Sequence, residues 1–283
     1  MMYRFLRFPK GKPKAVTLSY DDGCAEDLHL LEIINKYGLK CTFNFNSTLL
    51  HENFSDEVVE KEFYAKGHEI AVHGAFHRAE GTLRPIEGII DVLECRKELE
   101  KRFGRIIRGM AYPDTGISYF VNTASYESVK NYLKELDIAY ARALGKENDT
   151  MRLPEDWHAW MPTAHHDKPD IFDLIDKFLS FDLSPKNYIA SRAPRLFYIW
   201  GHSYEFERNN NWEQLENICK KLAGNEDIWY ATNIEIYEYV NAYHSLVYSA
   251  DGHMVYNPTV LELWFDVDKK LYHILPGQTL KID

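Results

Sequence analysis

Short apolar runs alternate with amphipathic stretches along most of this chain. Ala15 to Tyr20 reads as a strand, and the stretch over 26–37 puts Leu28, Leu31 and Ile34 on one helical face, with Gly38 as its stop. Leu39 to Phe45 reads as a second strand, followed by a helix that Ser55 caps and Gly67 ends. Strands are expected again near 68–72, 106–112, 138–142, 196–201 and 227–231. The helices between and after them are expected near 86–103, 126–136, 170–182, 211–223 and 233–243. Residues 144–169 show no period. Repeated strand–helix alternation with short connections gives a doubly wound sheet or a barrel, and the lack of a GxGxxG after the first strand removes the main support for a dinucleotide fold.

The pattern changes after residue 243. Ser245 to Tyr248, Thr259 to Val267, Leu271 to Leu275 and Thr279 to Ile282 are strand-like runs separated by turn signals such as Asp251-Gly252 and Pro276-Gly277. Some forty residues are too few for a core of their own. The expected organisation is therefore a barrel domain over 1–243 and a small β-strand appendage over 244–283 packed on it.

Composition narrows the partners. A net charge of −10 with no Lys/Arg block argues against nucleic acid or an anionic membrane surface, because phosphate binding needs clustered cations. No run approaches transmembrane length and no signal peptide is visible, so the expected location is cytoplasmic. Cys24, Cys41, Cys95 and Cys219 lack CxxC spacing and read as reduced thiols.

Candidate chemistry lies at the downstream ends of the expected strands. Asp21-Asp22 follow the first, His73 and His77 the third, and His202 the sixth. In a strand–helix barrel these ends share one face, and Asp with His suits Zn²⁺ or a similar first-row ion. Taken singly, Asp-Asp-Gly is a common turn, HxxxH can be two exposed histidines, and His202 can be an ordinary hydrogen-bonding residue. The strand-end placement in chain order is what favours one metal site.

Thr17-Leu18-Ser19-Tyr20-Asp21-Asp22-Gly23 resembles the first motif of the polysaccharide deacetylases, carbohydrate esterase family 4. His73-Gly74-Ala75-Phe76-His77 resembles its HxxxH metal motif, Tyr112-Pro113-Asp114-Thr115-Gly116 its third motif, and Trp200-Gly201-His202 its late motif. The resemblance spans about residues 14 to 240 and implies an α/β fold, a distorted (β/α)7 barrel, here with the C-terminal all-β appendage. It implies a divalent metal, most often Zn with Co, Ni or Mn as alternatives, on Asp22, His73 and His77. Asp21 would be the general base, His202 the general acid, and the backbone N–H of Asp114 an oxyanion donor, with Tyr112, Pro113, Asp114 and Trp200 on the substrate side. The substrate would be an acetylated sugar or oligosaccharide. Other C–N or ester hydrolysis on the same barrel, and sugar binding without catalysis, are the alternatives.

Four departures from the family pattern stand out. Ala111 occupies the place of an arginine that orients the base, and Arg142, at the end of the fifth strand, is the candidate to replace it. Asp114 stands where a tyrosine is usual, Gly74 where Ser or Thr is usual, and Trp200 where a leucine lines the acetyl pocket. Asp156-Trp157 falls in the interval of the fourth motif. His165, His166 and Glu205 are further candidates for substrate binding.

Overall fold

The structure, a computed structural model, describes residues 2–48, 53–188 and 192–282. Its strands up to residue 230 are β1 (Arg4–Arg7), β2 (Lys14–Asp22), β3 (Cys41–Phe45), β4 (Glu69–Val72), β5 (Gly109–Ala111), β6 (Tyr140–Arg142), β7 (Ala164–His165), β8 (Arg195–Gly201) and β9 (Ile228–Tyr230). Seven of them form a curled parallel sheet in the order β6-β5-β4-β3-β2-β8-β7. Along β2 every residue but the last is buried, as expected for a parallel strand covered on both faces. The protein is α/β, with the distorted (β/α)7 barrel and additional antiparallel strands.

The seventh stave is not the expected one. Within 227–231 a strand does form, Ile228–Tyr230, but among the described residues β9 pairs only with Lys14–Val16 of β2, along the edge that β3 takes from Leu18 onward. The stave between β6 and β8 comes from the stretch that shows no period. Arg142 bridges to Trp160 in parallel, with Trp160 N–H donating to Ala141 O at 3.1 Å and Ala143 N–H donating to Trp160 O at 3.0 Å. Three residues later the same segment crosses to β8, where Thr163 N–H donates to Tyr198 O. A stave this short cannot display alternation, so no sequence period marks it.

Helices Asp27–Lys36, Pro85–Phe103, Tyr126–Glu135, Ile171–Ser180, Trp212–Leu222 and Asn233–His244 lie where the apolar periods place them. Ile171, Ile175 and Phe178 show the pattern, buried one and two turns apart. The stretch after Ser55 is helical to Lys66 but contains a π turn over Val59–Phe63. A further helix, Ser203–Arg208, begins directly after His202 and has no counterpart in the sequence pattern.

The C-terminal strands are β10 (Val247–Tyr248), β11 (Met254–Tyr256), β12 (Leu263–Val267), β13 (Lys270–Ile274) and β14 (Thr279–Lys281). They make two small antiparallel sheets, β10-β11-β14 and β1-β12-β13. The chain's first strand thus belongs with its last ones, across the boundary expected at residue 243. A second apolar cluster joins barrel and appendage through Phe8, Trp160, Tyr198, Tyr239 and Phe265. Arg192 and Asp266, both buried, form a two-pronged ion pair within that junction.

At the other end of the barrel from the strand termini, Glu69 begins β4 and is buried. It accepts hydrogen bonds from Tyr140 Oη at 2.7 Å, Thr42 Oγ1 at 2.7 Å and the backbone N–H of Ile234 at 2.9 Å. The last of these lies in the first turn of the helix Asn233–His244, which gains from an anion there. Burial nevertheless dominates and pushes the Glu69 carboxyl up to about 7. The folded protein then holds a proton that the unfolded chain has released. The stabilisation is complete below the unfolded value near 4.5 and is lost as pH rises through about 7. We expect Glu69→Gln, whose amide can donate to Tyr140, to unfold in urea with a shallower loss of stability between pH 5 and 8 than the parent, by on the order of a few kcal/mol. Parallel pH profiles for the two proteins would contradict this.

Candidate metal and catalytic site

The ends of β2, β4 and β8 bring Asp21, Asp22, His73 and His202 to one cavity of about 310 Å³, joined by His77, Tyr112, Asp114, Trp200 and Tyr204, with Arg142 from the end of β6 buried behind Asp21. Consecutive side chains on a strand normally point to opposite faces. Here Asp22 adopts a left-handed conformation (φ +78°), so β2 turns at its last residue and both carboxylates face the cavity.

Asp21 is 2% exposed and held from two sides. Arg142 Nη2 donates to its Oδ2, and Asn44 Nδ2 donates to its Oδ1 at 2.9 Å. Arg142 is fully buried, and its guanidinium lies 4.6 Å from the centre of the Trp200 ring. Such stacking suits arginine's flat, weakly hydrated cation. Trp200 therefore supports the arginine, and Arg142, reaching Asp21 across the barrel, supplies the cation that Ala111 does not.

Asp22, His73 and His77 converge on a different point. Asp22 Oδ1 lies 3.2 Å from His77 Nε2 and 3.5 Å from His73 Nε2. Donors bonded tetrahedrally to Zn²⁺ at about 2.0–2.1 Å stand about 3.3 Å apart, so the three atoms have the spacing of a ligand set. Asp22 Oδ1 is buried with no hydrogen-bond partner, which fits an atom meant for a cation. The Nδ1 of His73 meets the Ala111 carbonyl at 2.9 Å, leaving Nε2 to carry the lone pair. Burial alone would raise the Asp22 carboxyl; the imidazoles of His73 and His77 outweigh it and hold the group well below the usual range. The residues fit a divalent metal.

His202 stands on the opposite side. Its Nε2 is 3.9 Å from Asp22 Oδ2 and 4.0 Å from Asp21 Oδ2, and its Nδ1 is 3.3 Å from Glu205 Oε2. Burial opposes charge on this ring, but Glu205 and the two aspartates prevail and raise its pKa. Glu205, one helical turn on, also accepts from the His202 backbone N–H at 3.2 Å, closing the first turn of the helix.

The motif departures have local explanations. Gly74 is left-handed (φ +72°), and a Cβ there would sit 2.4 Å from Asp91 Oδ2. Asp91, on the buried face of the helix Pro85–Phe103, accepts from the Phe76 N–H at 2.7 Å and so shapes the loop carrying His77. The Asp114 carboxylate lies beside His77, with Oδ1 3.7 Å from Nδ1, so its charge has a neighbouring imidazole. Tyr112 lines the cavity, while its hydroxyl donates to His158 O at 2.8 Å. Asp156 lies apart from the site, accepting from Tyr126 Oη and Lys130 Nζ, both at 2.6 Å. Leu144 and Tyr204 line the cavity without being marked by the motifs, and Asp91 supports the HxxxH loop from outside it; an acid on the apolar stripe of a helix was the available signal for Asp91.

Residues 9–141 match the family model described as polysaccharide deacetylase. The match takes in Asp21, Asp22, His73 and His77 and stops just short of Arg142. The barrel resembles a Mycobacterium smegmatis protein assigned as a polysaccharide deacetylase (TM-score 0.57, 16% identity, covering 84% of this chain and 94% of that one). It also resembles the Bacillus subtilis peptidoglycan deacetylase PdaC in a mutant form (TM-score 0.51, 14% identity, 82% and 94% covered). A third likeness is to a mutant of a Bacillus anthracis pseudoenzyme of carbohydrate esterase family 4 with restored enzymatic activity (TM-score 0.50, 14% identity, 82% and 70% covered). At these identities the likenesses speak to the fold. No curated protein matches by sequence. The polysaccharide deacetylase model thus covers the first half of the barrel, and the fold is the one seen in these deacetylase structures.

The Gly74–Asp91 contact is open to test. Gly74→Ala should destabilise the protein by a few kcal/mol, part from the left-handed backbone and part from the Asp91 collision. In an Asp91→Ala background the second part disappears, so the double-mutant cycle should show a coupling of about 1 kcal/mol or more. Additive unfolding energies would remove the explanation for Gly74.

Proposed function

We propose that this protein is a metal-dependent hydrolase that removes an acetyl group from the nitrogen of an acetylated sugar or oligosaccharide. The observation that carries the reading is the separation of roles within one cavity. Asp22 faces His73 and His77, while Asp21, its neighbour in sequence, is engaged by Arg142 and Asn44. One carboxylate is thereby left to a cation and the other is kept as a fixed acceptor.

A divalent metal held by Asp22, His73 and His77 would supply Lewis-acid polarisation of the acetamide carbonyl and a water of lowered pKa. Asp21 takes the proton of the attacking water, with Arg142 and Asn44 fixing its orientation. The backbone N–H of Asp114 donates to the oxyanion, a role that survives the change of side chain. His202 gives a proton through Nε2 to the departing sugar nitrogen, and the C–N bond breaks to leave acetate and the free amine. Glu205 at Nδ1 keeps the imidazole oriented and favours its charged form. Leu144 and the ring of Trp200 give the cavity apolar wall for the acetyl methyl group. Relatives on this barrel include a pseudoenzyme; Asp21 and His202, both facing the cavity here, favour an active protein.

Acetate release from chitin oligomers and from a panel of other amides and esters tests the substrate class, with and without chelator. His77→Ala should lose most of the metal bound at this site and nearly all turnover. Asp21→Asn and His202→Ala should keep that metal and lose rate by roughly 10²–10⁴-fold. Metal lost from Asp21→Asn but kept in Asp22→Asn would reverse the two aspartates. Sugar binding without turnover in the metal-loaded parent would replace the hydrolase by a binding protein.

A further inference from the structure

Beside His202 lies a second group of ligand-type side chains that the proposed reaction does not use as ligands. His165 ends β7, His166 and Asp167 follow it, and Glu205 faces them from the helix Ser203–Arg208. Each offers an atom within 4.8 Å of the others'. His165 Nε2 lies 3.1 Å from Glu205 Oε2, and His166 Nε2 lies 3.4 Å from both Glu205 Oε2 and Asp167 Oδ1. Two imidazoles and two carboxylates at these spacings match the donor-to-donor separation of about 3.3 Å around a tetrahedral Zn²⁺.

The decisive side chain is His166. It has no solvent exposure, and neither of its ring nitrogens has a hydrogen-bond partner. Leaving a buried polar group unsatisfied costs roughly 1–3 kcal/mol. Nδ1 is turned against β8, where a Cβ on Gly201 would stand only 1.9 Å away, so the glycine exists to admit this ring. Phe206 and Tyr20 stack against the ring, at 4.1 and 5.7 Å between centres, and fix its plane. Only Nε2 is left, and it stands 3.4 Å from one oxygen of each carboxylate.

The partners are prearranged as well. Asn209 and Asn211 donate to the two oxygens of Asp167 at 3.2 and 3.3 Å, and Gln214 Nε2 donates to the His166 carbonyl at 2.7 Å. The Asp167 N–H donates to His165 Nδ1 at 3.2 Å. Outer contacts of this kind orient ligands in metal sites. An ordinary hydrogen-bonded network would account for His165 and Glu205 but leaves His166 unpaired.

We infer that His165, His166, Asp167 and Glu205 form a second divalent-cation site, suited to Zn²⁺, that ties the end of β7 to the helix following His202. It is separate from the Asp22 site, and the two stand on opposite sides of the His202 ring. Its occupancy fixes the segment on which Glu205 and His202 sit.

Metal-stripped full-length protein titrated with Zn²⁺ alone, by calorimetry and elemental analysis, should take up two equivalents per chain. His77→Ala should take up one, and so should a His165→Ala/Asp167→Ala protein, by loss of the other site. Zn²⁺ should still raise the melting temperature of His77→Ala, and should not raise that of the triple variant. Asp167→Asn, a milder change at a partly exposed residue, should weaken the second equivalent at least tenfold while leaving the first, which guards against misfolding of the double variant. One equivalent in the parent and none in His77→Ala would overturn the inference. So would two equivalents retained by folded His165→Ala/Asp167→Ala. Failure of the Asp22 site appears in a different arm, as a parent and His77→Ala protein that bind Zn²⁺ alike.

Discussion

The buried pairing of Asp21 with Arg142 is the constraint on which the site depends. It links β2 to β6 across the barrel, and both partners are almost wholly shielded from water. Removing one partner of such a pair leaves a charge stranded and typically costs about 3–5 kcal/mol. The pair is therefore a poor source of net stability and a strong source of geometry. With Asp21 committed to Arg142 and Asn44, the left-handed turn at Asp22 sends the next carboxylate to His73 and His77. One strand end thus places two chemically identical groups in two different environments.

The same economy of position runs through the rest of the cavity. Trp200 stacks on the arginine, Gly201 makes room for His166, and His202 faces the aspartates, so three consecutive residues leaving β8 serve three neighbours. Asp91 on a helix shapes the HxxxH loop in the space that Gly74 leaves. The carboxylate of Asp114, unwelcome beside an oxyanion, lies beside His77. The departures from the family pattern are thus each accommodated by the residues they touch.

Much of this was legible in the sequence because strand ends in a parallel barrel share a face. The placement of Asp21-Asp22, His73, His77 and His202 after apolar runs was enough to suggest a common site, Arg142 entered as the stand-in for the family's missing arginine, and the structure brings these side chains together. Long helices were legible for a similar reason, since a buried stripe repeats over several turns. What escaped was local and non-periodic. β7 has two residues, the helix Ser203–Arg208 fewer than two turns, and β1 finds its partner some 260 positions away in β12. The pairing of His165 and His166 with Glu205 depends on that short stave and short helix. Sequence spacing alone could name the residues but not assemble them.

Anomalous diffraction at the zinc edge from a Zn²⁺-loaded crystal tests the central claim most directly. The account predicts a peak about 2.0–2.2 Å from Asp22 Oδ1, His73 Nε2 and His77 Nε2, with Asp21 outside the coordination sphere and still paired with Arg142. A peak coordinated by Asp21, with Arg142 displaced from it, would contradict the division of labour between the two aspartates.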